Sequence, residues 1–377
     1  MRISKRARKA LINTAVMLVL VGVTLIILFT SNRELNFENI GIFLKGCDYR
    51  WIAAAVLAML LFVVFEALSL HFILRGLGEK PKFHSSLVYS TSDVYYSAIT
   101  PSASGGQPAS AFYMMKDGVG AGKASFALVY NLIAYTAAII VIGILAFAVR
   151  PEFFGQIDNW LARLLIILGF VVQGLLLLFF IACMFCGWAV LKLGNGIINL
   201  LVKIHIVKKP DKWREKLKSE VEKYKDCRHA IKTHPGMTVA NFLFNLLQRF
   251  CHLLTAMFVC LAVAPQANIL DLFALEAFVL VGYNSVPIPG GVGAFEFLYL
   301  NIYSVALLGE VFPLAAVAVG LSGDAFILAA MMVSRVISYY LKMIICGVYT
   351  LVYHTCKLRN PKKNHGETHN EEHGEEA

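Results

Sequence analysis

The sequence predicts an all-α polytopic membrane protein with about six transmembrane helices and two oppositely oriented re-entrant helical hairpins in an inverted repeat. Three observations lead to this fold class. The 377 residues are 58% hydrophobic and 15% charged, with a mean hydropathy of +0.67, a balance far from that of a soluble domain. Long charge-poor runs recur along the chain. Two apolar regions are interrupted by clusters of proline and glycine.

The charge-poor runs have lengths suited to a membrane. Ala10 to Ser31 contains no charged residue and can cross about 30 Å of hydrocarbon, which takes roughly 20 helical residues. A basic segment precedes it, as in a secretory signal, but the run is too long and no small-x-small cleavage site follows, so we interpret it as a transmembrane helix. Further spans are predicted at residues 51–74, 124–149, 161–191 and 238–264, and one long crossing follows a break near residues 322–324.

Lysine and arginine set the orientation of these spans. The first nine residues carry five basic side chains, and residues 203–232 carry eleven basic against five acidic ones. Because such segments favour the cytoplasmic side, we expect both termini in the cytoplasm, Cys47 outside and Cys227 inside. This topology explains the net charge of +10. A nucleic-acid partner is not expected, because that role would need a folded basic domain with stacking aromatics.

The basic loop at residues 192–235 has an amphipathic pattern. Lysines surround apolar residues that fall near one helical face, namely Trp213, Leu217, Val221, Tyr224 and Ile231. The pattern indicates a helix lying on the anionic inner leaflet. A solvated connector that only enforces orientation explains it equally well.

Two apolar regions are too short to cross the membrane twice. Residues 85–115 contain a single charged residue, Asp93, and the sequence TPSASGGQPAS at their centre. Residues 271–308 contain VPIPGGVGA. Two crossings would need about 40 residues, so each region fits a hairpin of two half-length helices. By the count of crossings, the first hairpin enters from the cytoplasm and the second from outside.

The two hairpins mark an inverted repeat. The GGQPA that starts at Gly105 matches the GGVGA that starts at Gly290, and proline precedes both. We predict a first repeat in residues 1–160, a second in residues 161–356 and a disordered polar tail in residues 357–377. Eight irregular crossings without symmetry are the alternative.

Breaks of this kind indicate a polar cavity. Non-helical backbone at membrane depth is tolerated only where protein or a water-filled cavity satisfies it, and inverted repeats with broken helices are typical of secondary transporters. Half-helices that restart at the glycines would point N–H groups at the cavity, which suits a phosphate. Glycines that only permit close helix packing are the alternative. The candidate substrate-binding residues at the breaks are Thr100, Pro101, Ser102, Gly105, Gly106, Gln107, Pro289, Gly290, Gly291 and Gly293.

Polar residues inside the spans add further candidates, since a charge at mid-membrane is expensive and usually faces a pathway. One face of the 238–264 span carries Asn241, Asn245, Gln248 and His252. We assign Asn245, Arg249, Glu66, Asp93 and Glu296 to the cavity. A structural ion pair is the rival interpretation, above all for Asp324 and Arg335.

Other motifs carry no recognisable chemistry. The eight cysteines lie mostly in apolar runs and are interpreted as small core residues. The histidines of the tail are interpreted as solvated. The segment GVGAGKAS lacks the first glycine and the Ser or Thr of a phosphate-binding loop. We expect no catalytic residue, no metal and no cofactor.

Two segments resemble a known family. PGGVGAFE, residues 289–296, and TPSASGGQPASAFYMM, residues 100–115, resemble the membrane domain of the lysylphosphatidylglycerol synthase/flippase family, the multiple peptide resistance factors. The resemblance spans about residues 10–355. It implies a bacterial plasma-membrane protein that moves aminoacylated phosphatidylglycerol from the inner to the outer leaflet, which confers resistance to cationic antimicrobial peptides. Full-length members also carry a soluble aminoacyltransferase domain, and since only a polar tail follows the last span, we expect no lysyltransferase activity.

The leading hypothesis is a flippase for lysylphosphatidylglycerol, which carries one phosphate and two ammonium groups. The helix N-termini and Arg249 are candidates for the phosphate, and the acidic residues Glu296, Asp93 and Glu66 for the ammonium groups. A flippase for another anionic lipid, such as a polyprenyl phosphate, is one alternative, and a membrane-embedded lipid-modifying enzyme is another. Self-association into a homo-oligomer stays open.

Overall fold

The computed structural model describes residues 36–100, 103–185, 210–286 and 291–359, with residues 191–192, 195–196, 198–199, 202 and 288. Within these residues the secondary structure is helical and no strand is present. Five of the described helices are long and apolar enough to cross a membrane, or up to six if one bent pair counts as a span. The predicted all-α polytopic fold class is confirmed.

The helices follow one another through short connections. In chain order they are α1 (Phe37–Gly46), α2 (Tyr49–Gly76), α3 (Phe83–Ile99), α4 (Gly106–Lys116), α5 (Ala121–Val149), α6 (Pro151–Gln156), α7 (Trp160–Phe185), α8 (Pro210–Thr233), α9 (Pro235–Leu261), α10 (Ile269–Tyr283), α11 (Ala294–Tyr303), α12 (Val311–Val319), α13 (Gly323–Arg335) and α14 (Lys342–Arg359). A 3₁₀ segment, Ser304–Leu308, follows α11, and a π-helical segment, Val336–Leu341, joins α13 to α14. The predicted span at Ala10 to Ser31 and residues 360–377 of the predicted tail lie outside the described residues.

The five candidate spans coincide with five of the predicted ones: α2, α5, α7, α9 and the continuous α13–α14 span. The predicted break before the last crossing is also present. α12 ends at Val319, Gly320 adopts a left-handed φ of 84°, and the Ser322 hydroxyl accepts a hydrogen bond from the Ala325 N–H at 3.2 Å. This serine cap starts α13, because it satisfies one of the first N–H groups of the new helix.

Helices α2 and α9 form the centre of the fold. They make the most extensive contact of any helix pair in the described chain. Within the structure, 44% of the spanning part of α2 and 50% of that of α9 are buried, against 17% for the peripheral α7. The Asp48 N–H, at the start of α2, donates to the Ala262 carbonyl at the end of α9 at 2.8 Å. The two central helices hold equivalent places in the predicted repeats.

Each predicted hairpin region contains two short helices that contact each other, α3 with α4 in the first and α10 with α11 in the second. Their re-entrant course in the membrane stays a prediction. Each hairpin belongs to its own apolar core, the first with α2 and α5 and the second with α9 and α13. The opposite orientation of the two hairpins in the membrane stays a prediction. The basic loop contains the expected helix, α8, and its placement on the inner leaflet also stays a prediction.

Cysteine labelling in cells tests the orientation. Native Cys47 and Cys227 are poor reporters, because both are buried and burial raises the pKa of the Cys47 thiol to about 11. Exposed positions serve better, so we choose Gly155→Cys near the end of α6 and Lys218→Cys in α8. We expect an impermeant maleimide to label the first variant in intact cells and the second only after permeabilisation. The unsubstituted chain is the control, and the reverse pattern would contradict the topology.

Candidate functional site

The two helix breaks meet at one cavity of about 540 Å³. Asp93, Ser97 and Gln107 line it from the first hairpin, and Asn284 and Gly291 line it from the region of the second break. Side chains from α2, α5, α7, α9 and the α13–α14 span complete the wall. The predicted cavity at the two breaks is present, and its wall combines charged, polar and apolar side chains.

Two buried carboxyl groups lie on one side of the cavity. Glu66 on α2 is 6% exposed, and Asp93 on α3 is 8% exposed. The Gln248 amide donates to Glu66 Oε2 at 3.1 Å, and the Gln107 amide donates to Asp93 Oδ2 at 2.6 Å. The Ser97 hydroxyl donates to Asp93 Oδ1 at 3.0 Å. The two carboxyl groups line the same cavity and interact with each other, so this side of the cavity is rich in oxygen.

Two cations lie against one aromatic ring of the cavity. The Arg249 guanidinium is 4.7 Å from the centre of the Phe62 ring and 4.4 Å from that of Tyr135, and Lys342 Nζ is 4.1 Å from that of Phe62. No carboxylate forms an ion pair with either cation in the described part of the chain, where Arg249 Nε also lacks a hydrogen-bond partner. Unpaired charges are costly in a low-dielectric site, so this arrangement favours the binding of an anion.

A third cation, Arg335, has a carboxylate of its own. Its Nε lies 3.1 Å from Glu296 Oε1, and its guanidinium contacts the rings of Phe295 and Tyr339 at 4.6 and 4.5 Å. Glu296 Oε2 accepts a hydrogen bond from the Gly293 N–H at 2.6 Å. Both charged side chains are at most 5% exposed. The ion pair therefore fixes the start of α11 to the end of α13.

The rival interpretation, a structural ion pair, holds for Arg335, whereas no ion pair of Asp324 is found among the described residues. Arg335 pairs with Glu296, whereas Asp324 is an exposed residue in the first turn of α13. At a helix N-terminus a carboxylate complements the helix dipole and needs no cationic partner.

Each half-helix that starts after a break has a carboxylate of the chain at its N-terminus. Asp93 lies against Gly106, the first residue of α4, and Glu296 binds the Gly293 N–H at the start of α11. Such a carboxylate is stabilised by unpaired N–H groups and the helix dipole. The phosphate site expected at these N-termini stays a prediction, but a phosphate there would lie against the carboxylate that is already present. Arg249 and Lys342 are the better anion-binding groups.

The glycines at the breaks permit close packing. A Cβ at Gly106 would collide with the Asp93 side chain and lie 2.7 Å from its backbone oxygen, and Gly105 is similarly crowded. Gly291 has a φ of +64°, and a Cβ there would lie 2.7 Å from Tyr283 Cδ2. Packing thus accounts for glycine at these positions. Of the three glycines, Gly291 also lines the cavity.

Asn245 does not line the cavity but lies in a buried polar network that reaches the wall at Asn131. Its amide donates to Asn131 Oδ1 at 2.8 Å and to Asn241 Oδ1 at 2.9 Å, and it lies 3.0 Å from the Ser69 hydroxyl. The network joins α2, α5 and α9. Interhelical hydrogen bonds of this kind stabilise membrane helix packing by about 0.6–2 kcal/mol each.

The predicted site residues therefore fall into three groups. Those that line the cavity are Glu66, Asp93, Gln107, Arg249 and Gly291. Those placed around the breaks or in the neighbouring network are Thr100, Gly105, Gly106, Asn245, Gly293 and Glu296. Those outside the described residues are Pro101, Ser102, Pro289 and Gly290.

Some cavity residues were not predicted from the sequence, among them Lys342 and Gln173. Lys342 is a basic residue inside the α13–α14 span, and Gln173 is a polar residue in the middle of the apolar α7. The same signal that identifies Arg249, a polar residue inside a membrane span, marks both of them.

The fold and the site define a polytopic membrane protein with a charge-lined internal cavity at two broken helices. The family model described as lysylphosphatidylglycerol synthase TM region matches residues 15–346, and the chain belongs to this family. Membership gives it a function related to membrane lipids. No curated protein matches the chain.

The ion pair at the second break is open to a double-variant test. Glu296→Gln should lower the free energy of unfolding by about 3–5 kcal/mol, because it leaves a buried guanidinium without its carboxylate. The double variant Glu296→Gln/Arg335→Met should lose much less free energy of unfolding than the sum of the losses in the two single variants, because it leaves neither charge buried without its partner. Unfolding of the purified protein in detergent measures both. Additive losses would contradict the coupling.

The packing role of Gly106 is tested against a second helical glycine. Gly106→Ala should destabilise the protein by about 1–3 kcal/mol, because the added Cβ pushes Asp93 away from the start of α4. Gly174→Ala on α7 is the matched control, since no atom lies within 4 Å of a Cβ there. The midpoint of thermal unfolding in detergent should fall for Gly106→Ala and should stay the same or rise for Gly174→Ala. Equal midpoints would contradict the packing explanation.

Proposed function

We propose that this chain translocates aminoacylated phosphatidylglycerol, such as lysylphosphatidylglycerol, from the inner to the outer leaflet. One observation carries the proposal: two unpaired cations and a carboxyl pair line one cavity at both helix breaks. A headgroup that contains a phosphate and an ammonium group carries the matching charges. Family membership supports a lipid substrate.

The charges suggest how the headgroup is held. The phosphate would lie near Arg249 and Lys342, and an ammonium group near Glu66 and Asp93. Both contacts are charge-assisted, so they are stronger than hydrogen bonds between neutral groups. A headgroup with only one sign of charge would satisfy one side of the cavity and leave the other without a partner.

The acyl chains have an apolar wall to follow. Val172, Leu176 and Phe180 of α7 line the cavity, and Leu175 and Leu178 of the same helix are 62% and 65% exposed on the outside of the bundle. The headgroup would cross inside the protein while its acyl chains stay in contact with α7 or the surrounding lipid. Separation of the two parts lowers the cost of moving charge through the hydrocarbon region.

Export of a cationic lipid would change the cell surface. In a bacterial plasma membrane it would make the outer leaflet less negative, which weakens the attraction of cationic antimicrobial peptides. The basic helix α8 would lie on the anionic inner leaflet, and both termini would be cytoplasmic.

A flippase for another anionic lipid, such as a polyprenyl phosphate, is the second candidate. It is favoured by one observation: Glu66 and Asp93 already accept hydrogen bonds from Gln248 and Gln107, whereas Arg249 has no carboxylate partner in the described chain. A lipid that carries only a phosphate would satisfy Arg249 and leave the carboxyl groups as they are.

Leaflet exchange in liposomes distinguishes the two candidates. Purified protein should move fluorescent lysylphosphatidylglycerol between leaflets without ATP. Asp93→Asn should slow this lipid about tenfold more than plain phosphatidylglycerol, because one charge-assisted contact to the ammonium is lost. Arg249→Ala should slow both lipids, because both carry a phosphate.

Arg163→Ala, at the exposed start of α7 and outside the cavity lining, is the control for arginine removal. It should leave both rates unchanged. Equal slowing of both lipids by Asp93→Asn would favour the second candidate. Exchange of neither lipid above the rate in protein-free vesicles would contradict both.

A further inference from the structure

The pair formed by Glu66 and Asp93 has a property that headgroup binding alone does not require. Two acidic side chains from different helices line the same cavity and interact with each other there, and both are more than nine-tenths buried. A hydrogen bond between two carboxyl groups needs a proton on one of them. Two ionised carboxylates this close would repel strongly in a buried site, so such a pair holds one proton between its oxygens.

The glutamines beside the pair leave acceptors without partners. Gln248 and Gln107 use their amide N–H groups on Glu66 and Asp93, and in the described part of the chain the Oε1 atom of each glutamine has no hydrogen-bond partner. Gln248 is only 2% exposed, so its oxygen is not satisfied by bulk water. The site offers carboxyl and amide oxygens to a donor with several N–H bonds, and an ammonium group is such a donor.

The other charged and titratable groups that face the pair come from the neighbouring helices. They are Tyr135 from α5, Arg249 and His252 from α9, Arg335 at the end of α13, and Lys342 and Cys346 from α14. The described residues of α4 contribute Gln107, which does not titrate.

The charges in the cavity favour loss of a proton when the headgroup enters. With one proton on the carboxyl pair and Arg335 neutralised by Glu296, the cations Arg249 and Lys342 leave the cavity with one positive charge in excess. A headgroup with one phosphate and two ammonium groups would raise this excess to two positive charges. Loss of the proton from the pair returns the excess to one, and uncompensated charge is costly in a buried site.

Building on the proposed lipid transport, we propose that Glu66 and Asp93 exchange their proton for the headgroup ammonium, which makes the chain a proton-coupled lipid antiporter. The proton leaves to cytoplasmic water as the ammonium group binds. On the outer side a proton from outside binds the pair as the ammonium group leaves. One proton enters for each lipid exported.

The exchange has a distinct energetic signature. Lysylphosphatidylglycerol carries one phosphate and two ammonium groups, so it has one net positive charge. Its exchange for one proton moves no net charge across the membrane. The pH gradient therefore drives export, and the membrane potential does not.

The test uses the purified full chain in liposomes that contain a trace of fluorescent lysylphosphatidylglycerol. Valinomycin with equal potassium on both sides clamps the potential, and the lumen is made about one pH unit more acidic than the bath. The lipid should accumulate about tenfold in the leaflet that faces the acidic lumen. One-for-one exchange makes the ratio of lipid between the two leaflets equal to the ratio of proton concentration between lumen and bath, and one pH unit is a tenfold ratio. The direction holds for either orientation of the protein. If the fluorescent lipid instead reaches an equal distribution between the leaflets quickly, the proton coupling is overturned, whereas the proposed transport is supported.

Variants and other gradients sharpen the result. Glu66→Gln should abolish the tenfold accumulation while any residual transport continues, because an amide can donate to Asp93 without a shared proton. Glu276→Gln is the matched control. The buried Glu276 carboxyl accepts a hydrogen bond from the Tyr303 hydroxyl at 2.6 Å and does not line the cavity. This variant should therefore keep the tenfold accumulation. Accumulation driven by a sodium gradient in place of the pH gradient would overturn the proton assignment. Absence of leaflet exchange under every condition would instead overturn the transport proposal itself.

Discussion

Each helix break frees backbone N–H groups that the hydrocarbon of a membrane cannot satisfy, and in both hairpins a carboxylate of the chain lies at that point. Asp93 lies at the start of α4, and Glu296 lies at the start of α11. A buried carboxylate in turn needs donors or cations. That need accounts for Gln107 and Ser97 in the first hairpin and for Arg335 in the second. The polar character of the cavity follows from these two requirements.

The two breaks meet the same requirement with different chemistry. Glu296 is held by a cation and a backbone N–H, so its charge is compensated inside the protein. Asp93 is held by neutral donors and faces a second carboxyl group, Glu66. The second break is therefore a fixed part of the fold, whereas the first has a charge that can change partners. In the proposed function this difference lets one hairpin support the cavity while the other binds the headgroup ammonium.

The sequence was sufficient for the all-α membrane fold class and for five of the spans, because spans are set by length and polarity, which can be counted. The half-helices of residues 85–115 were found in this way, since Pro101 and the glycines cannot continue a helix across the bilayer. The pairing of charges was less accessible. Glu296 and Asp93 were both assigned to the headgroup, but which cation reaches Glu296 depends on how α13 packs against α11. Lys342 was missed, although it carries the same signal that identified Arg249, a basic residue inside a membrane span.

The proposed headgroup site can be tested with an experimental structure of the chain in a lipid nanodisc that contains lysylphosphatidylglycerol. We expect a lipid whose phosphate contacts Arg249 and Lys342 and whose ammonium group lies within hydrogen-bonding distance of Glu66 or Asp93. A headgroup bound outside this cavity, or one whose phosphate contacts the N-termini of α4 or α11 in place of the two cations, would overturn the proposed site.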